Sequence, residues 1–527
     1  MIQAASLSTY RRREGFNTLL LMSGGTMLTL VLAAMVSGMT PIGGPMPGVL
    51  LLAALLLGPL VWRWPQSASY LLLATAVIIE EHPLGFGLSL TEQIPAFTDV
   101  QAMVNLPGLA FNPVELLAAF AIGVCVLKSS LTDGTFGLGT LARPWGFFLG
   151  LVLMGLVRGK LAGGEMTIAL WGVRGIFLMF FAYLLTTNVV RTRNQVRVLA
   201  GILILGAAFK GLIGLYRYVV DLHGHLSIGG DDTSASLMAH EESFFFLGIL
   251  FMAILALGFG LAKKDRTAVL ISAALVFLPL LANQRRAAVA ALMLAVILLV
   301  ATLYKLQPGM RQGICRTLIL LVFVLPPYFY LGWNSDNLLT MPVQAVRSGI
   351  DPDKRDASSN EYRVIEDKDL RATARKNPLL GVGFGMPMKQ EYLLPDISAS
   401  YHWYLYIPHN SVLWMGMTMG LLGLSAFMYL MGGVALQMVG AMVASRDVEM
   451  RLLWALGLAM LTTFLVFTLL DQGIISQRVD IFMGVLMGLL AMPGRLIDAE
   501  KPDPAETSRV LSYGLLSSSL RPGGNWS

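Results

Sequence analysis

Charged residues are scarce in this 527-residue chain, because Asp, Glu, Lys and Arg make up only 13% of it. A soluble domain carries about 25% charged residues, so the composition excludes an ordinary water-soluble protein. Hydrophobic residues make up 55% of the chain, in continuous runs rather than in the alternation of a membrane β-barrel. A helix crosses a bilayer with about 20 apolar residues. The sequence therefore predicts an all-α polytopic membrane protein with about 14 transmembrane helices.

Cysteine is also rare, with Cys125 and Cys315 both in or beside hydrophobic runs. Their spacing matches no metal or redox motif, so we interpret them as small buried residues. The net charge of +6 comes from basic residues scattered in short loops. That distribution is typical of membrane topology and gives no indication of nucleic-acid binding.

The apolar runs predict where the spans lie. The predicted spans are 16–38, 47–62, 68–80, 112–128, 144–157, 168–190, 197–220, 242–261, 267–283, 287–304, 316–332, 411–440, 452–470 and 474–492. The first follows Arg11–Arg13 and is too long for a cleaved signal peptide, so we interpret it as an uncleaved span.

Basic residues fall in alternate loops, and the loops between them are acidic or neutral. The basic set includes Arg63, Lys128, Arg143, Arg191, Lys263, Lys305, Arg311, Arg446, Arg451 and Arg495. Positive-inside bias makes their side cytoplasmic, with both termini on it. We therefore expect a membrane protein divided into spans 1–11 (1–332), a large extracytoplasmic loop (333–410), spans 12–14 (411–495) and a flexible cytoplasmic tail (496–527).

The extracytoplasmic loop is predicted to contain short amphipathic helices. The clearest covers 360–376, where Val364, Leu370 and Ala374 lie on one face and Asn377-Pro378 ends the helix.

Arg285 and Arg286 lie between the ninth and tenth spans, at the predicted outer face. Positive-inside bias disfavours arginine there. The two guanidinium groups either extend to the interface or form an anion site, since arginine has a planar fork suited to phosphate.

His409 and Asn410 lie where the long loop re-enters the membrane. A histidine titrates near neutrality and can take a proton from a hydroxyl group. A lone histidine at a helix start is more often structural than catalytic, and His402 is a weaker rival to His409 as the base. Just upstream, Gly381, Gly383 and Gly385 permit tight turns and the close approach of a ligand.

Other polar residues at the predicted outer face are Arg158, Lys160, Arg174, Arg217, His223, His225, Asp231, Asp232, His240, Glu241 and Glu242. The candidate donor or acceptor contacts are Arg158, Arg174, Arg217, His240 and Asn410. Arg174 lies inside the sixth predicted span, where a charge is a functional candidate. The acids and histidines could hold a divalent metal, although their spacing matches no strong ligand motif.

Several motifs, in order, resemble the O-antigen ligase and Wzy-type polymerase superfamily. They are Arg286-Ala287 before a span, NPLLGVGFG from Asn377, His409-Asn410 opening the next span, and GLLG from Gly420. Arg363 resembles an arginine that precedes the glycine-rich element in that family. The resemblance covers about 200–440.

The resemblance implies a GT-C-like membrane glycosyltransferase fold in the bacterial inner (cytoplasmic) membrane, with the large loop 333–410 in the periplasm. It implies transfer of a glycan from a polyprenyl (undecaprenyl) diphosphate carrier to a hydroxyl group at the periplasmic face. His409 would be the catalytic base and Arg286 a diphosphate-binding group. Because the family's "SRGA" is Arg285-Arg286-Ala-Ala here, either arginine could fill that role. A further family arginine has no clear match, and Arg217 lies closest to it.

Chemistry and resemblance together predict an inverting transfer with no metal or other cofactor, in which arginines neutralise the leaving diphosphate. The partners would be the lipid-linked glycan, a glycan or lipid A-core acceptor, the bilayer and other envelope polysaccharide assembly proteins. The extra spans and extended tails favour a polymerase of O-antigen or exopolysaccharide, with a ligase acting on lipid A-core as the alternative. A transporter or flippase is the alternative of another class, but the sequence shows no repeated halves. A metal-dependent GT-C enzyme using Asp231, Asp232 or Glu241 is a third.

Overall fold

The structure, a computed structural model, describes residues 57–81, 91–101, 111–132, 135–223, 237–335, 337–352, 354–399, 401–445 and 447–491. All regular elements in these ranges are helical, and ten helices are long and apolar enough to cross a membrane. The predicted all-α polytopic fold is therefore confirmed. The predicted span 16–38, most of 47–62 and the tail 496–527 lie outside the described residues.

The helices follow the predicted spans closely. The first seven are α1 (Gln66–Ile78), α2 (Pro113–Leu131), α3 (Ala142–Leu161), α4 (Met166–Val189), α5 (Arg193–Tyr216), α6 (His240–Phe259) and α7 (Lys263–Ala282). The next seven are α8 (Arg286–Leu306), α9 (Arg311–Gly332), α10 (Met341–Ile350), α11 (Lys354–Arg375), α12 (Ser411–Ala444), α13 (Val448–Leu470) and α14 (Gln477–Gly488). We call the end of the bundle that carries residues 333–410 the loop end.

The short helix α14 forms part of the bundle core. All of its residues are buried, and it packs closely against α4. A Cβ at Gly484 would meet the carbonyl oxygen of Met179 at 2.1 Å, so only glycine permits this approach. The helix therefore fixes the segment that precedes it, residues 471–476, at the loop end.

A buried ionic cluster joins α14 to α5 and α6. Lys210 pairs with Glu80 and with Glu242, the latter at 3.3 Å. Arg478 pairs with Glu242 at 2.8 Å and donates to the Ala76 carbonyl at 2.7 Å. Unpaired charges in a membrane interior are costly, so this cluster fixes the start of α6 relative to α14.

Helix α12 is broken at Gly420, whose φ of 68° and ψ of −166° are not helical. Residues 378–385 fill the break. The N–H of Gly383 donates to the Thr418 carbonyl at 3.0 Å, and the N–H of Leu421 donates to the Pro378 carbonyl at 2.7 Å. The loop thus satisfies backbone groups that a broken membrane helix would otherwise leave unpaired. The sequence analysis missed this break.

The predicted helix 360–376 is confirmed within α11, which begins earlier, at Lys354. Its predicted apolar face is only partly right, because Leu370 is buried but Val364 is 52% exposed. The buried face also contains Glu366 and Asp369. Asp369 accepts hydrogen bonds from the backbone of residues 391 and 392, and such polar contacts leave no trace in hydrophobic periodicity.

The cysteine interpretation holds for one residue only. Cys125 is buried, as expected, but Cys315 is exposed. Cys315 lies in α9, which packs against little of the described chain, so its apolar neighbours do not cover it.

Candidate functional site at the loop end

His409 is held against α11 by Glu366. The imidazole Nδ1 lies 3.2 Å from one carboxylate oxygen, and the backbone N–H of His409 donates to the other at 3.1 Å. The Glu366 side chain is 1% exposed, whereas that of His409 is 28% exposed. A carboxylate accepting from Nδ1–H leaves Nε2 as the basic atom, on a ring that remains accessible.

Tyr362 packs edge-on against the His409 ring, with the ring centroids 5.8 Å apart. Burial, with the nearby Glu366 carboxylate, raises the pKa of Tyr362 above its usual value. The phenol is therefore neutral, and its buried hydroxyl has no hydrogen-bond partner among the described residues. Tyr362 fixes the plane of the imidazole without competing for its proton.

Asn410 anchors the start of α12. Its side-chain oxygen accepts from the N–H of Leu413 at 3.1 Å, which caps the helix. Its amide nitrogen donates to Asp367 at 3.2 Å. Burial raises the pKa of Asp367 despite the lowering effect of Arg371. Asn410 thus holds the start of α12 against α11.

Three basic side chains surround Asp471, at the end of α13. Burial alone would raise the pKa of Asp471, but His240, Arg285 and Arg363 outweigh it and hold the pKa below its usual value. Arg363 also donates to the Leu470 carbonyl at 3.2 Å. The Asp471 carbonyl accepts from the hydroxyl of Ser411 at 3.2 Å. Since Ser411 follows His409 by two residues, the basic groups and the histidine share one region.

The two adjacent arginines have different surroundings. Arg286 donates to the Asn360 side chain at 2.7 Å and to the Ser359 hydroxyl at 3.4 Å. Arg285 has a buried Nε with no hydrogen-bond partner among the described residues. Arg286 is therefore engaged with α11, whereas Arg285 has a donor without a partner among the described residues.

A strained turn presents this arginine pair. Gln284 has a φ of 50°, a conformation that costs free energy in a residue other than glycine. The preceding Asn283 is buried and fixes the turn: its side chain accepts from the N–H of Met238 at 3.0 Å and donates to Ser243 at 2.8 Å. The direction of the arginines is thus set by the start of α6.

Three other candidate contacts lie within protein networks. Arg174 pairs with Asp99 at 2.7 Å and with Glu115 at 3.0 Å. The remaining two are Arg217, which pairs with Glu92 at 2.5 Å, and Arg158, which donates to Asn377 at 2.8 Å. These pairs account for the burial of Arg174 and Arg217, and a role for any of the three in substrate contact stays a prediction.

The glycines of residues 377–385 serve internal packing. A Cβ at Gly383 would lie 2.3 Å from the Gly159 nitrogen, and one at Gly381 would lie 2.4 Å from the Thr418 backbone. The close approach predicted for a ligand is therefore an approach to the chain's own backbone. It links the broken helix α12 to the end of α3.

Sequence reasoning missed Glu366, Tyr362 and Asp471. Asp471 carried a usable signal, since it is an acid directly after a long predicted span. Glu366 and Tyr362 lie on either side of Arg363 in a strongly charged helix, and nothing in that pattern marks them.

Comparison with known families supports the same region. Residues 250–428 match the family model described as O-antigen ligase. The matched range contains Arg285, Arg286, Arg363 and His409, whereas His240 and Asp471 lie outside it. The resemblance to the O-antigen ligase and Wzy-type superfamily is thereby confirmed over these residues. A search of curated proteins found no match to the chain.

The family match has a coarse functional meaning. It implies a multi-pass, glycosyltransferase-like membrane enzyme that uses a lipid-linked glycan donor and an acceptor in the membrane. The finer assignment depends on the geometry of the loop end.

Proposed function

We propose that the protein is an inverting, metal-independent glycosyltransferase. It moves a glycan from a polyprenyl diphosphate carrier to an acceptor hydroxyl group at the periplasmic face. The observation that carries the proposal is the buried Glu366 carboxylate on Nδ1 of the accessible His409, beside a group of arginines.

His409 acts as the general base. Its Nε2 takes the proton of the acceptor hydroxyl as that oxygen attacks the anomeric carbon of the donor sugar. The bond from this carbon to the diphosphate breaks, and the diphosphate leaves with the bonding electrons. One displacement without a covalent intermediate inverts the anomeric configuration. General-base catalysis of this kind contributes about 10²–10⁴-fold in rate.

Arg285, Arg286 and Arg363 stabilise the leaving diphosphate. Fixed cationic donors act most strongly where charge grows during the reaction, and guanidinium groups match phosphate oxygens well. Asp471 offsets part of this charge while the site is empty, as the lowering of its pKa by Arg285 and Arg363 indicates. The arrangement supplies the neutralisation that a divalent metal gives other enzymes.

Among acceptors, we favour another carrier-linked repeat unit, which makes the protein a polysaccharide polymerase. The extra predicted spans and extended tails support this choice. A purified polymerase extends carrier-linked repeats into a ladder of products, whereas a ligase moves the glycan to lipid A-core. The product lipid therefore distinguishes the two.

The broken helix α12 does not favour a transporter. Transporters use broken helices to line a central substrate site, but residues 378–385 fill this break. The candidate site residues His409, Arg285 and Arg363 lie at the loop end instead.

The test is His409→Ala in the purified, full-length protein, assayed for glycan transfer and separately for donor binding. We expect transfer to be abolished and donor binding to persist, because the arginines remain. His402→Ala is the matched control, since His402 is exposed in the same loop and the variant should stay active. Transfer by His409→Ala at the wild-type rate would overturn the mechanism.

A further inference from the structure

The middle of α9 contacts almost nothing in the described chain. The eight consecutive residues 318–325 are each between 39% and 72% exposed. A helix turns once in 3.6 residues, so these eight cover its whole circumference more than twice. A helix packed on one side would show a buried stripe, and this one does not.

Both ends of α9 are nevertheless fixed. At the end away from the loop, Arg311 donates to the Tyr304 carbonyl at 2.9 Å and lies over the Tyr304 ring at 5.3 Å. At the loop end, Tyr328 donates to the Leu339 carbonyl at 2.6 Å. Gly332 packs against Thr340, just before α10, and against Val343 in α10. A helix held at its ends and free in its middle leaves a side window beside its sequence neighbour α8.

The neighbouring helix offers an apolar surface along its length. One face of α8 is buried and contains Ala287, Ala291 and Ala295. Other residues of the same turns have larger apolar side chains, of which Leu294 is 52% exposed and Ile297 is 66% exposed. Small residues let α8 approach the bundle closely, and its larger apolar side chains remain uncovered. Such a surface suits a hydrocarbon chain.

Cationic groups lie at both ends of this surface, with Lys305 in the last turn of α8 and Arg285 and Arg286 at the loop end. Helix α8 begins at Arg286, directly after Arg285. Arg286 donates to Asn360, and Asn360 in turn donates to the Ser348 carbonyl of α10 at 3.0 Å. Helices α10 and α11 therefore cover the loop end of α8 and place two guanidinium groups beside it.

We propose that the side window, between residues 318–325 of α9 and the exposed face of α8, holds the polyprenyl chain of the donor, with its diphosphate at Arg285 and Arg286. This inference rests on the proposed function. The pair of guanidinium groups at the loop end supports this occupant, because a polyprenyl diphosphate has one anionic head on a long apolar chain. The window then lets the head reach the arginines while the chain remains in the bilayer.

The experiment places a photoreactive benzophenone amino acid at Phe323 in the full-length protein in proteoliposomes that contain radiolabelled polyprenyl diphosphate. Leu205 in α5 is the matched control, because it is 73% exposed and Phe323 is 72% exposed. We expect labelled lipid at Phe323 to exceed that at Leu205 by at least about tenfold, since one charge-assisted phosphate contact raises affinity by about tenfold or more. Arg285→Gln combined with Arg286→Gln should remove this excess.

Three outcomes would overturn the inference. They are equal labelling at the two positions, a cross-link to a second copy of the chain, and a cross-link to the chain's own residues 1–56. The same labelling in His409→Ala separates this inference from the proposed function. Stronger lipid labelling at Phe323 than at Leu205 in the His409→Ala background supports the side window, whether or not transfer is lost. Active glycan transfer by His409→Ala counts only against His409 as the general base.

Discussion

The imidazole of His409 is paired with the carboxylate of Glu366, with 3.2 Å between Nδ1 and Oε1. The two residues belong to different parts of the chain, the long loop helix α11 and the segment that opens α12. The orientation of the proposed base therefore depends on how α11 docks on the bundle.

We expect Glu366→Gln to lower kcat by about 10²-fold or more with little change in the KM for the donor. An amide has no charge and no longer specifies the Nδ1–H tautomer of His409, and the corresponding change in a catalytic triad is severe. Steady-state transfer kinetics with purified protein measure the effect.

Glu361→Gln is the matched control for Glu366, because Glu361 is an exposed residue of the same helix. It should leave both constants unchanged. Equal kinetics for the two variants would show that the carboxylate does not orient the base.

The arginine pair should divide by role. Arg285→Gln should weaken donor binding by about 10-fold to 100-fold, the range expected for a lost charge-assisted hydrogen bond. Arg286→Gln should weaken donor binding and, in addition, lower the thermal unfolding midpoint. The midpoint falls because this variant loses the contact with Asn360 at 2.7 Å. Donor binding and thermal unfolding of both variants are compared with those of Arg375→Gln, an exposed arginine of α11. Unchanged binding in Arg285→Gln would leave the diphosphate role to Arg286 and Arg363.

The sequence was sufficient to predict most of the helices, because a span is coded by a local run of apolar residues. It also indicated His409, Arg285, Arg286 and Arg363, because they occur in short motifs whose order is visible. The proximity of the basic groups to the start of α12 depends on tertiary contacts such as Ser411 with Asp471.

Other features could not be predicted for a physical reason. Hydrophobic periodicity reports apolar burial only, so the buried Glu366 and Asp369 of α11 are invisible to it. The break at Gly420 is invisible too, since the surrounding residues are apolar throughout and the partner backbone lies in residues 378–385. Val364 was placed on the wrong face because the buried face of α11 is partly polar.

Asp471→Asn should change the pH dependence of stability. His240, Arg285 and Arg363 lower the folded-state pKa of Asp471 although burial opposes them. The carboxylate therefore stabilises the fold at any pH above its unfolded pKa of about 3.9. This contribution is lost as pH falls through the lower folded pKa.

Thermal unfolding of Asp471→Asn at pH 7 and at pH 3 tests that sign. The variant should be less stable than the wild type at pH 7, and the difference should narrow in acid. Asp351→Asn is the control, because Asp351 is exposed in the same loop. A difference that stays constant with pH would show that the lost stability does not come from the charge.

Removal of divalent metals should leave transfer intact. Guanidinium groups take the place of a metal in the proposed mechanism, so EDTA should not lower the rate of the purified enzyme. Loss of activity in EDTA, restored by Mn²⁺ or Mg²⁺, would contradict the mechanism and favour a metal-dependent transfer.

Gly383→Ala should disrupt the link between α3 and the broken helix α12. Gly383 has a φ of 100°, and an added Cβ would lie 2.3 Å from the Gly159 nitrogen. The strained backbone alone costs about 1–2 kcal/mol, and the contact with rigid backbone adds to it. We expect a lower thermal unfolding midpoint together with reduced transfer. The reason is that residues 378–385 belong to the same loop as His409, so their packing against α3 and α12 also helps to position His409. Gly416→Ala is the control, since a Cβ at Gly416 meets nothing within 4 Å and alanine favours a helix. If both variants matched the wild type in stability and transfer, the packing of residues 378–385 into the break of α12 would not be needed to hold the loop in place.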